Sequence, residues 1–106
     1  MLGDLLLSWS GMLLDRASDD PRQVRAFKAI QDQNLADVAY GESLELLLQA
    51  QRRYDRKLSL EVIRHKTSLP GMTPALQMGA ILAGADTALL DAFTELGVAV
   101  GDAYQL

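Results

Sequence analysis

Apolar residues recur along this chain at intervals of three and four, the spacing that lines one face of an α-helix. Near the amino end Leu5, Leu6, Leu7, Trp9, Met12, Leu13 and Leu14 crowd more than one face. The first helix, from Leu5 to about Arg16 with Asp4 as N-cap, is therefore expected to be buried among neighbours. Ala17-Ser18-Asp19-Asp20 forms a polar linker, with Ser18 or Asp20 able to cap and Pro21 suited to the first helical position. A second helix is expected from Pro21 to Lys57, with an irregularity at Gly41. Its stripe runs through Val24, Phe27, Ile30, Leu35, Val38, Leu44, Leu47 and Leu48. A helix of that length outruns any small body, so it should cross a larger bundle or pair with a second copy.

Ser59 can cap a short third helix from Leu60 to about Thr67, after which Pro70 and Gly71 interrupt. Thr73 followed by Pro74 restarts a helix that is small and apolar almost all round, Pro74 to Ala83, and Gly84 stops it. Asp86 caps a last helix in which Leu89, Leu90, Phe93, Leu96, Val100 and Tyr104 share a stripe. β-Branched residues nowhere alternate with polar ones over more than a few positions, so the expected fold class is all-α. Tyr104-Gln105-Leu106 is still in helical phase with no stop signal, and the first helix starts almost at Met1. Both ends read as cut from something longer.

A length of 106 residues, about half of them apolar, allows one globular domain at most. The formal charge of −4 gives no general attraction to nucleic acid or to an anionic membrane. Six of the ten Lys and Arg residues fall between Arg52 and Lys66, but that block also holds Asp55 and Glu61 and a single aromatic, Tyr54. A solvated helix end accounts for it better than a nucleic-acid surface. The opening residues lack the basic region and cleavage pattern of a signal peptide, and the run from Leu5 to Leu14 is too short to span a bilayer. No cysteine is present, which removes disulfides and thiolate metal sites and leaves the cytosol as the default compartment.

Candidate chemistry gathers at His65-Lys66-Thr67-Ser68. A lysine beside a threonine at a helix break can hold a phosphate, the ammonium giving charge and the hydroxyl and free N–H groups giving direction. A plain solvated polar surface is the competing reading of the same residues. His65 is the sole histidine, which excludes a histidine-rich metal site, and no catalytic or metal-binding constellation is assigned. Asp19 and Asp20 are adjacent but serve the linker. Gly97 and Gly101, one turn apart, permit close approach of another helix or of a slender apolar ligand. Helix packing is the first reading, because interiors fill before they bind.

Several of these segments, taken in order, resemble the trans-isoprenyl diphosphate synthases, the polyprenyl synthetase family. They are Gly3-Asp4-Leu5-Leu6-Leu7; Gly41-Glu42-Ser43-Leu44-Glu45-Leu46, where the family usually has Gly-Gln-x-x-Asp-Leu; and Lys66-Thr67. They continue with Leu76-x-x-Gly79-Ala80-x-Leu82-Ala83-Gly84-Ala85, Phe93-x-x-Leu96-Gly97 and Gly101-x-Ala103-Tyr104-Gln105-Leu106. The resemblance covers essentially the whole chain, residues 1–106, as one all-α segment of the isoprenoid synthase (prenyltransferase) fold and a partial polyprenyl synthetase domain. It implies a condensation of isopentenyl diphosphate with an allylic diphosphate, assisted by Mg²⁺ held on two Asp-Asp-x-x-Asp motifs. It also implies that Lys66 and Thr67 hold the allylic diphosphate and that Gln105 stands at the pocket wall. Gly3, Asp4 and the first two helices would fall in the region through which members form homodimers.

This chain departs from the pattern in three respects, one being a proline, Pro70, that is extra relative to many members in the segment Lys66-Thr67-Ser68-Leu69-Pro70-Gly71. Neither aspartate-rich motif is among its residues, and Glu42 and Glu45 replace the usual Gln and Asp, which makes that part of the pocket more acidic. The expectation is a segment of a prenyltransferase that binds no Mg²⁺ and is inactive by itself. The alternative is a non-catalytic helical oligomerisation module or degenerate synthase subunit.

Overall fold

A computed structural model describes residues 1–105; the expected continuation of the last helix through Leu106 lies outside the described residues. Among the described residues there are five α-helices, one π-helical turn and no strand. The helices are α1 (Leu2–Leu14), α2 (Pro21–Ala50), α3 (Arg56–Ile63), α4 (Thr73–Leu82) and α5 (Thr87–Gln105), and the π turn, Arg64–Ser68, follows α3 directly.

Local chemistry explains where the chain turns. The linker before α2 uses both expected caps. Asp20 accepts from the Arg22 N–H at 2.9 Å, while Ser18 accepts from the Asp20 N–H at 3.1 Å and donates to Gln23 at 2.6 Å. Asp86 caps α5 through the Leu89 N–H at 2.9 Å. Gly84 ends α4 at φ 78, the left-handed conformation that lets the Ala85 N–H return to the Ala80 carbonyl.

Four boundaries differ from expectation. α1 begins at Leu2, so Asp4 lies in the first turn instead of capping it; solvent serves the open N–H groups of an exposed helix start. α2 stops at Ala50 and does not reach Lys57. Arg52 takes the left-handed conformation (φ 51), and the Arg53 N–H closes back on the Leu48 carbonyl at 3.0 Å. This is the hydrogen-bond pattern of a glycine C-cap made without glycine. The chain then restarts at Arg56, with Asp55 accepting from the Leu58 N–H; Ser59 lies inside α3 and donates to the Asp55 carbonyl. Thr73 is not a cap either. It is 4% exposed, and its hydroxyl faces Gly97.

Packing is centred on α2 and the π turn. Phe27 and Leu48 of α2, Val62 of α3 and Ala80 of α4 are the buried apolar side chains. α2 runs straight through Gly41 with no irregularity, and of its expected stripe Leu35, Val38 and Leu47 remain exposed. α5 turns its glycine face inward: Gly97 and Gly101 are buried, while Leu89, Leu96, Val100 and Tyr104 of the expected stripe stay exposed. Nothing in α1 is buried within this chain, contrary to expectation, because α2 is the helix it packs against and covers one side of it.

The result is a slab of 49 × 35 × 18 Å with a radius of gyration of 15.4 Å. A compact chain of this length has a radius near ~13 Å. At 18 Å, the thin dimension accommodates only about two helices.

Candidate functional site

The π turn is built by three neighbours. Pro70 has no N–H to offer the Lys66 carbonyl, and its ring crowds that carbonyl, so an ordinary helical turn cannot pass through it. The wider turn closes instead through the Leu69 N–H on the Arg64 carbonyl at 2.8 Å, a five-residue step. Helices α2 and α5 reach the turn at glycines. A Cβ on Gly41 would lie 2.6 Å from the Lys66 nitrogen, and one on Gly101 would lie 2.8 Å from the Ser68 carbonyl oxygen. Any side chain at either place would push a helix away from the turn.

Clamped in this way, the turn presents successive residues to different partners. Lys66 points its ammonium to α2, 2.5 Å from Glu45 and 3.1 Å from Glu42. Thr67 donates its hydroxyl to the Gln105 side-chain oxygen of α5 at 3.0 Å. Ser68, fully buried, donates to Asp102 of α5. His65 Nδ1 lies 3.2 Å from Asp37, and its ring meets the edge of Tyr40 at 4.7 Å; the Tyr40 hydroxyl donates to Glu61 at 2.7 Å.

Of the three residues singled out in the sequence, Thr67 and Gln105 are brought into hydrogen-bond contact, while Lys66, adjacent in the turn, sends its side chain to Glu42 and Glu45 of α2. The lysine is held above its ordinary pKa of 10.5, chiefly by its hydrogen bond to Glu45 and then by that to Glu42. Tyr40 is likewise pushed up, by its hydrogen bond to Glu61 and that group's charge. With Lys66 40% exposed, Glu42 49% and Glu45 33%, the ion pairs are within reach of solvent and of a ligand.

Sequence reasoning missed the Asp37–His65, Tyr40–Glu61 and Ser68–Asp102 pairs. Each joins residues more than 20 positions apart and carries no spacing signal. Ser68 alone left a trace, as a hydroxyl in the cluster's own run. Among the described residues no three His, Cys, Asp or Glu side chains converge on a point where a metal ion could be held. No helix among the described residues is long and apolar enough to cross a membrane.

Residues 1–106 match the sequence profile of the family described as polyprenyl synthetase. A curated relative, the geranylgeranyl diphosphate synthase of Methanosarcina mazei, is 24% identical over 106 residues, which is 100% of this chain and 32% of the relative. The chain thus spans about a third of the length of that relative. No solved structure matches.

Proposed function

The chain belongs to the polyprenyl synthetase family, and on that premise we propose that its π-turn cluster is the diphosphate-holding part of a prenyltransferase. Lys66 supplies positive charge to an allylic diphosphate, the Thr67 hydroxyl turns its one proton from the Gln105 oxygen to the bound group, and the Gln105 side chain borders that group. The observation that carries this reading is that Lys66 and the Thr67–Gln105 contact share a turn that Gly41 and Gly101 hold against two helices. The all-helical architecture agrees with it.

In the intact family arrangement, condensation of isopentenyl diphosphate with the allylic diphosphate would use Mg²⁺ on carboxylates outside these residues. The cluster itself would bind and orient the leaving diphosphate. By itself this chain is expected to be inactive. Incubated with Mg²⁺, isopentenyl diphosphate and an allylic diphosphate it should release no product; turnover would overturn that expectation, because the metal clamp contributes most of the leaving-group stabilisation. Binding is tested separately: titration with an allylic diphosphate should show a site that Lys66→Gln and Thr67→Val both weaken. Identical binding by the wild type and both variants would sink the cradle.

A second reading concerns assembly, and the exposure of α1 favours it. Leu6, Trp9, Met12 and Leu13 are each about half or more exposed, 48 to 68%. An apolar helix face of that kind marks a contact surface for further protein. A non-catalytic, helical homo-oligomerising module would use the same face.

A further inference from the structure

The cradle reading leaves the two glutamates beside Lys66 without a role, and the present inference rests on that reading. We propose that Glu42 and Glu45 are built-in competitors for Lys66, occupying its ammonium until an anion strong enough to displace them arrives. They thereby set the affinity threshold of the site.

The geometry supports a standing contact and not a chance meeting of mobile side chains. Glu42 and Glu45 are three positions apart on α2, so they share a face of the helix. Their helix is pressed against the backbone of the very residue they bind: at Gly41, immediately before Glu42, there is no room for a Cβ beside the Lys66 nitrogen. The ammonium therefore does not leave the carboxylates by separation of the two elements; the pairs open by rotation of the lysine and glutamate side chains. Both carboxylates lie within ion-pair distance at once, at 2.5 and 3.1 Å. With one ammonium and two carboxylates, the cluster carries a formal charge of −1, and an incoming anion meets net repulsion until Lys66 is turned towards it. Thr67 does not share this constraint. Its single hydroxyl proton is given to the neutral Gln105 oxygen, a weaker bond that an anion can exchange for its own without opposing a charge.

Because the pairs are partly exposed, each is breakable at modest cost. An exposed ion pair opposes a competing ligand by about three- to fivefold in affinity. The two glutamates share one lysine, so their effects should combine to about tenfold rather than multiply in full. The ligand class selected is one of high negative charge density, such as a diphosphate, that can outbid two carboxylates for one ammonium.

The test is isothermal titration of the full chain with inorganic pyrophosphate in the presence of a chelator, so that no divalent ion bridges ligand and carboxylate. Wild type is compared with E42Q, E45Q, E42Q/E45Q, K66Q and the triple variant E42Q/E45Q/K66Q. Glutamine keeps the size and hydrogen-bonding reach of glutamate, and far-UV circular dichroism checks that each variant remains helical. The expected result is pyrophosphate binding about tenfold tighter in E42Q/E45Q than in wild type, lost again in the triple variant. Unchanged or weaker binding in E42Q/E45Q, with K66Q still lowering affinity in the wild-type background, would overturn the proposal and leave the cradle standing. The glutamates would then be supports that aim the lysine. Binding in E42Q/E45Q that K66Q does not reduce, or no binding by any variant, would remove the cradle and the proposal together.

Discussion

At the scale of single residues, what holds the site together is the absence of side chains. Gly41→Ala places a methyl group 2.6 Å from the Lys66 nitrogen, and Gly101→Ala places one 2.8 Å from the Ser68 carbonyl oxygen. Both obstacles are backbone, which cannot rotate aside, so each variant should lose about 2–3 kcal/mol of stability by overpacking. Gly79→Ala is the control. It is helical, exposed and meets nothing within 4 Å, so removing its backbone freedom should stabilise by about 0.5–1 kcal/mol. Urea unfolding of the three variants checks the contrast. Lys66 offers a second reading at the same scale. Its pKa is raised, so the paired form is complete below the ordinary 10.5 and is lost only as pH climbs through the higher folded value. NMR titration of the lysine side-chain methylene next to the ammonium should show that raised midpoint in wild type. Glu45→Gln should bring it down further than Glu42→Gln, Glu45 being the larger cause.

At the scale of elements, the helices and most of their punctuation were legible in the sequence, and the failures share a physical origin. Asp20-Pro21, Gly84 and Asp86 act through their own local chemistry, which the sequence displays directly. The end of α2 does not. It is a C-cap closed by Arg52 where glycine is the usual residue, so periodicity ran on towards Lys57 with nothing to stop it. If Arg52 is strained in that conformation, Arg52→Gly should raise stability by about 0.5–1 kcal/mol, and Asp55→Ala, which removes the cap of α3, should lower it by about 1 kcal/mol. Thermal unfolding of the two variants, with shifts of opposite sign, checks the break between the helices. The π turn was invisible for a different reason: it arises from Pro70 acting together with two helices that arrive from Gly41 and Gly101, and only the proline is local. The candidate site shows the same division. Lys66 and Thr67 could be singled out as neighbours, but the role of Gln105 came only through resemblance to a family, and the Asp37–His65 and Ser68–Asp102 pairs exist only once α2 and α5 are set against the turn. In α5 the apolar stripe was read correctly as a stripe, yet the buried side is the one with glycines, since closeness to the turn, not hydrophobicity, decides which face goes inward.

At the scale of the molecule, the surface is too large for the chain. Its accessible area is 7469 Å², whereas a compact monomer of this mass exposes about 5,800 Å². The excess, about 1,700 Å², is about twice what a standard protein–protein interface removes from each partner. Two exposed apolar faces contribute to it, the Leu6–Leu13 side of α1 and the Leu89–Leu96–Val100 side of α5, and they make different predictions. If α1 is the face that a second copy covers, sedimentation velocity should show association that rises with concentration and collapses in Leu6→Glu/Leu13→Glu. Leu89→Glu/Leu96→Glu should leave the association in place. All four leucines are exposed within the chain, so neither pair of changes should disturb helicity, and circular dichroism can separate lost assembly from lost folding. Association abolished by the α5 pair alone would move the contact to the outer side of α5, away from the glycine face that meets the π turn. A monomer at every concentration, with no binding of an apolar dye, would mean that the slab closes its apolar faces by rearrangement. The glycine clamp around the π turn, which depends on the present placement of α2 and α5, would then have to be abandoned as well.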